Sequence, residues 1–269
     1  MKTFDRVLCW FTFCTATLLA GCANRPVSID GLSNRTDLIT DSDETDQRRR
    51  ARLRVELASG YFEQGQIKVA LDEIKQSLVT DPNYVDAYNL RGLVYMRLNE
   101  IPLAEDSFRR ALALNSRDAG VAHNYGWMLC QQARYAEAFK LFGQAVSNST
   151  HTGKAKTLMA LGVCQVDAGQ LTDGESSLMQ SYELDAGNPV TGYNLSSLLY
   201  KRGDITRAQF YIRRLNNSEM ANAQTLWLGI KTEKKLNNSQ AMTQLGAQLK
   251  KRFSQSPEAV AFEKGSFDE

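Results

Sequence analysis

Cysteine and histidine are the side chains from which a small reactive site is most readily built, and the 269-residue chain holds five of the first and two of the second. The histidines, His123 and His151, belong to no HExxH motif, and the sequence contains no CxxC, GxSxG or GxxxxGK. Hydrolases, metal centres and phosphate cradles need such constellations. Catalysis is therefore not expected, nor is a metal, a cofactor or a small-molecule substrate. The cysteine whose surroundings suggest chemistry is Cys22, which closes the stretch TLLAGC. Ahead of it stand a basic start, Lys2 and Arg6, and an apolar run over residues 7–20. As a helix those residues would span roughly 21 Å, short of the ~30 Å hydrocarbon core of a bilayer. Such a segment reads as an export signal ending in small residues, not as a spanning helix.

Leu19, Ala20, Gly21 and Cys22 resemble the bacterial lipobox. That resemblance implies removal of residues 1–21 and acylation of Cys22 as the new N-terminus. Each buried methylene contributes about 0.8 kcal/mol, so several acyl chains hold firmly where one would not. Ala23 stands where, by the family rule, an aspartate would favour retention in the inner membrane. The implied location is the outer membrane, lipid-anchored and facing the periplasm.

Without residues 1–21 the chain keeps 30 basic and 29 acidic side chains, having lost Lys2, Arg6 and Asp5. So even a balance gives no overall field for nucleic acid. Residues 22–46 read as the lipidated cysteine followed by a polar tether without aromatics or helical period, reaching about 25–30 Å. Five arginines crowd positions 48–54. They could grip anionic headgroups, but they read better as the solvated face of a first helix whose preceding acids suit its N-terminus. Cys130 and Cys164 are the two cysteines left. They read as small buried helix residues, with a pairing between them left open.

Stepping along the rest of the chain reveals a period. Tyr88, Gly92, Tyr95, Ala104, Phe108 and Ala111 fall at positions 4, 8, 11, 20, 24 and 27 of a unit starting at residue 85. Units with the same offsets start at 51, 119, 155, 189 and 222, with an insertion near SNSTHTG at 147–153. These are the offsets of a tetratricopeptide repeat (TPR). Small residues at 8 and 20 let two antiparallel helices approach, while larger ones at 4, 7, 11 and 24 fill the space between pairs, so stacking builds a continuous core. The expected fold is all-α, a right-handed superhelical solenoid of about six helix pairs over residues 47–262, with a tail at 263–269.

In such a solenoid the first helix of each pair lines a concave groove. Its groove positions predict a partner-binding face of Asn89, Leu93, Met96, His123, Trp127, Met159, Val163, Tyr193 and Tyr200. An apolar and aromatic face suits the apolar side of an amphipathic helix, and it lacks the Lys and Asn of a carboxylate clamp. Trp227, at position 6 of the last unit, is expected in the core.

Lipobox, tether and repeats together resemble the outer-membrane pilotin lipoproteins of type IV pilus biogenesis, the PilF/PilW family. The resemblance is carried by HNYGWMLCQQARYAEAFKLFGQAV at 123–146, ALGVCQVDAGQ at 160–170, and LWLGIKTEKKLNN with AQLKKRFSQSPEA in the last unit. Gly174, in place of the usual alanine, and the polar NSTHTG junction depart from it. The resemblance implies binding to subunits of the secretin, the ring-forming pore of the pilus machine, and promotion of their localisation and multimerisation. The alternative is a general cell-envelope scaffold serving cell-wall hydrolases or outer-membrane protein assembly.

Overall fold

A computed structural model describes residues 44–267 of the chain; Cys22, the signal segment and nearly all of the tether lie outside them. Among the described residues there are thirteen helices and no strand. They run α1 (Asp46–Glu63), α2 (Ile67–Thr80), α3 (Val85–Arg97), α4 (Ile101–Leu114), α5 (Ala119–Gln131), α6 (Tyr135–Ser147) and α7 (Lys154–Asp167). Then come α8 (Leu171–Leu184), α9 (Pro189–Lys201), α10 (Ile205–Asn216), α11 (Ala223–Lys235), α12 (Ser239–Arg252) and α13 (Pro257–Lys264). Each odd helix up to α11 packs against the even helix that follows it and against the next odd one. The result is a solenoid of six helix pairs closed by α13. No described helix is long and apolar enough to cross a membrane.

The same small-residue logic recurs from pair to pair. A Cβ on Gly92 would stand 2.5 Å from the Phe108 ring, and one on Gly126 3.1 Å from the Phe142 ring, so each glycine admits the aromatic at position 24. In the fourth unit two glycines face each other: a Cβ on Gly174 would lie 3.0 Å from the Gly162 carbonyl and 2.7 Å from Val166. The glycine that departs from the usual alanine at position 20 thus permits a still closer approach of α7 and α8. Ser77 and Ser181, at position 27 of the first and fourth units, donate to the carbonyls of Ala51 and Ala155 at position 1, 2.9 and 2.8 Å away.

Between the two helices of every pair lies a three-residue turn whose middle residue has positive φ: Gly65, Asn99, Ala133, Gly169, Gly203 and Asn237. These residues fall 34, 34, 36, 34 and 34 apart. The register therefore matches the sequence reading in five units and corrects it in the sixth, which starts at Ala223 and not at residue 222. Leu228-Gly229 mimics the pair expected at positions 7 and 8, but Ile230, fully buried, occupies position 8. At position 24 stands Gly246, where a Cβ would lie 2.1 Å from Phe262; a ring from α13 fills the space that a large side chain fills in the other units.

The arginine-rich start is helical, as expected for the first helix. Thr45 caps α1, accepting from the Arg48 backbone amide at 3.2 Å. Arg48 pairs with Asp81 at 2.6 Å, Arg52 with Glu56 at 2.8 Å, Arg54 with Glu73 at 2.7 Å, and Arg49 with Asp46.

Candidate functional site, the faces of the first helices

The nine residues expected to line the groove all sit on odd-numbered helices and all are half-buried. Leu93 and Met96 of α3 and Trp127 of α5 pack against one apolar cluster, built around Phe108, Met128 and Phe142. Met159 and Val163 of α7, with Tyr200 of α9, pack against a second, around Leu178, Leu195 and Leu199. Tyr193 and Tyr200 also cover Ile212 and Leu228. Each side chain therefore buries one flank in the core and leaves the other at the surface, the disposition of an apolar contact face.

Asn89 and His123 also hydrogen-bond to the next repeat. Asn89 accepts from the Asn124 side-chain amide at 3.0 Å. His123 Nδ1 lies 3.0 Å from Thr157 Oγ1, which lies 2.8 Å from His151 Nε2. The insertion at 147–153 thereby folds over the α5–α7 edge, where His123, Asn124, Asn148, His151 and Lys156 line an open pocket of about 550 Å³. At that height the surface is polar. Burial, then the Lys156 and His151 charges, push the His123 imidazole down to about 4.

Cys130 and Cys164, read as two small helix residues, form a disulfide with a Cα–Cα distance of 5.8 Å. Sequence spacing hid the pair. The insertion places the two at positions 12 and 10 of their units, so they do not repeat, yet neighbouring first helices are offset so that a late position of one faces an earlier position of the next. The His123–Thr157 contact, from position 5 of the third unit to position 3 of the fourth, follows the same offset.

Trp227 is not a core residue. With the sixth unit starting at Ala223, it takes position 5, the counterpart of His123 and Tyr193, and Lys231 takes position 9, the counterpart of Trp127. It is half-buried and walls an open pocket of about 840 Å³ together with Tyr193, Ser197, Tyr200, Lys201, Lys231, Lys235 and Phe267. The one-residue slip in register had turned this side chain inward. Counting to the turn residue Asn237, which occupies position 15 as Asn99 does, would have found it.

Among the described residues no three His, Cys, Asp or Glu side chains could hold a metal ion. What the surface offers is apolar and aromatic area edged by charge, which suits recognition of protein.

Helix pairs stacked at a 34-residue period, each closed by a left-handed turn residue, define a TPR solenoid, and the tetratricopeptide-repeat family model matches residues 55–119 and 91–155. Within that class the chain is 27% identical over 209 residues to the type IV pilus assembly protein PilF of Pseudomonas aeruginosa, covering 78% of this chain and 83% of PilF. A solved structure of P. aeruginosa PilF superposes with a TM-score of 0.74 at 26% identity, covering 82% of this chain and all of that one. The crystal structure of PilW, described as a widely conserved type IV pilus biogenesis factor, does so with a TM-score of 0.73 at 28% identity, covering 79% and 98%. The chain is a PilF- and PilW-like TPR protein.

Proposed function

We propose that the protein is an outer-membrane lipoprotein of type IV pilus biogenesis, a pilotin whose TPR groove binds secretin subunits and promotes their localisation and multimerisation. The observation that carries the reading is its likeness to two pilus biogenesis factors along nearly the whole solenoid, at 26% and 28% identity. The apolar flanks of Leu93, Met96 and Trp127 provide the surface that an amphipathic secretin segment would cover. Cys22 provides the anchor, and the tether after it the reach.

Membrane fractionation of a Cys22→Ser variant tests the anchor. The expected outcome is loss of the protein from the outer-membrane fraction with its helical circular dichroism intact, and a fall in secretin multimers there. A Ser variant that still sediments with the outer membrane in full would refute the lipoprotein reading.

A further inference from the structure

At Gly92, Gly126, Gly162 and Gly174 a Cβ would press on a neighbouring side chain or carbonyl, so packing explains those glycines. Gly192, the fourth residue of α9, is different: it is buried, yet a Cβ there would meet nothing within 4 Å. Glycine inside a helix is less stable than alanine, and here no close approach repays it. The same position of the fourth and sixth units holds the buried Leu158 and Leu226. In the fifth unit the space beside Gly192 is a pocket of about 120 Å³, walled by Tyr182 of α8, the turn at 186–188, and Tyr211, Arg214 and Leu215 of α10. Two groups on that wall are unsatisfied. The Tyr182 hydroxyl oxygen is buried and makes no hydrogen bond, a costly state for a polar group. The Arg214 guanidinium lies 5.8 Å from the Tyr182 ring centroid and, among the described residues, has no carboxylate partner. Other polar groups on the wall are engaged: Asn188 Oδ1 accepts from the Val190 and Thr191 amides at 3.0 and 3.2 Å, Ser218 donates to the Leu215 carbonyl at 2.7 Å, and the Tyr211 hydroxyl donates to Met179 Sδ at 3.1 Å.

We propose that this pocket is a second recognition site, which takes a glutamate side chain of a partner protein. Its methylenes fill the space beside Gly192, and its carboxylate accepts from the Tyr182 hydroxyl and pairs with Arg214. Size, charge and surroundings select that occupant. A cavity of ~150 Å³ admits benzene, so one of about 120 Å³ suits a side chain as small as that of glutamate. A hydroxyl donor beside a cation calls for an anionic acceptor, and among the described residues no Asp or Glu lines the pocket. Phe210, one turn before Arg214 on α10, is 61% exposed. Residues four apart are neighbours on a helix surface, so a protein seated over the pocket also covers that ring, as a free small molecule would not. The inference rests on the reading of the repeats as a protein-binding scaffold but not on the secretin as partner.

The test uses the isotope-labelled full chain and glutamate blocked as its N-acetyl, N-methylamide derivative, read through the amide shifts of Gly187 and Gly192, with blocked glutamine and blocked leucine as comparisons. Blocked glutamate should shift both amides, and the two comparisons should bind at least about tenfold more weakly. Tyr182→Phe and Arg214→Ala should each weaken glutamate binding by about tenfold with circular dichroism unchanged. Gly192→Leu, which fills the pocket with the chain's own side chain, should abolish binding and keep the helical spectrum. Leucine binding as well as glutamate would make the pocket an apolar hole, and no shift with any probe would leave it a site for water alone; either result overturns the proposal. So would wild-type affinity in Tyr182→Phe or in Arg214→Ala, or free glutamate binding more tightly than the blocked form. Concentration-dependent dimers that vanish in Gly192→Leu would assign the pocket to a second copy and overturn it as well. Because Cys22, Leu93 and Trp127 stay untouched, failure here leaves the secretin reading to its own experiment.

Discussion

At the scale of single residues, the chain ties its only two histidines to one threonine hydroxyl. His123 is neutral in the folded protein down to about pH 4, whereas in the unfolded chain it takes a proton near 6.5. The unfolded state thus binds more protons over that window, so stability present above 6.5 is lost as pH falls toward 4. At 1.36 kcal/mol per unit, the loss would be at most about 3 kcal/mol. Urea melts at several pH values should show this slope, and His123→Gln, which keeps a polar partner for Thr157 but does not titrate, should flatten it. A second residue-scale prediction concerns Glu233, 1% exposed and held by Arg213 at 2.6 and 2.9 Å, Gln209 at 2.9 Å and Asn238 at 2.9 Å. Arg213 has 47% of its side chain exposed, so freed of its partner it can return to water, while Glu233 cannot. Arg213→Ala should therefore cost more than Glu233→Gln, by about 1 kcal/mol or more, since a buried charge left without its partner is the expensive case. Thermal melts of the two variants decide the order.

At the scale of elements, the turn within each helix pair sets the register, and its middle residue must be left-handed. Ala133 has φ 56° where Gly65, Gly169 and Gly203 have 75–82°. An L-residue in that region costs about 1–2 kcal/mol, and glycine gives back less than 1 kcal/mol through unfolded-state entropy. Ala133→Gly should raise stability by about 0.5 kcal/mol, and a lowered melting temperature would contradict the strain. Gly174→Ala should do the reverse, by about 1–3 kcal/mol, because a methyl there meets Val166 and the Gly162 carbonyl. These positions also show what was legible. Gly92, Ala104 and Phe108 announced the helix pairs from spacing alone, since a core built on close approach constrains residue size. The sixth unit misled because Leu228-Gly229 copies the expected pair one residue early; there the ring filling the core comes from Phe262, on a different helix. The Cys130–Cys164 bond and the His123–Thr157–His151 link both join neighbouring units across the 36-residue interval, and no within-unit pattern could reveal them.

At the scale of the whole molecule, a solenoid is held by contacts between neighbours, and the disulfide clamps two of its middle units. Its loop of 34 residues predicts about 2–4 kcal/mol of stabilisation. A Cys130→Ser/Cys164→Ser variant should melt correspondingly earlier, and a reductant should shift the wild type to meet it while leaving the variant unmoved. The account as a whole rests on the apolar flanks of the first helices acting as a binding face and not only as the outer layer of the core. The most direct measurement is the amount of heat-resistant secretin multimer in outer membranes of cells carrying Trp127→Ala, set beside Gly174→Ala as a control that loses stability in the core without touching the face. The account predicts that Trp127→Ala abolishes multimers while the folded lipoprotein remains in the membrane, and that Gly174→Ala retains them. Multimers at the wild-type level in Trp127→Ala, or an equal loss in both variants, would contradict it.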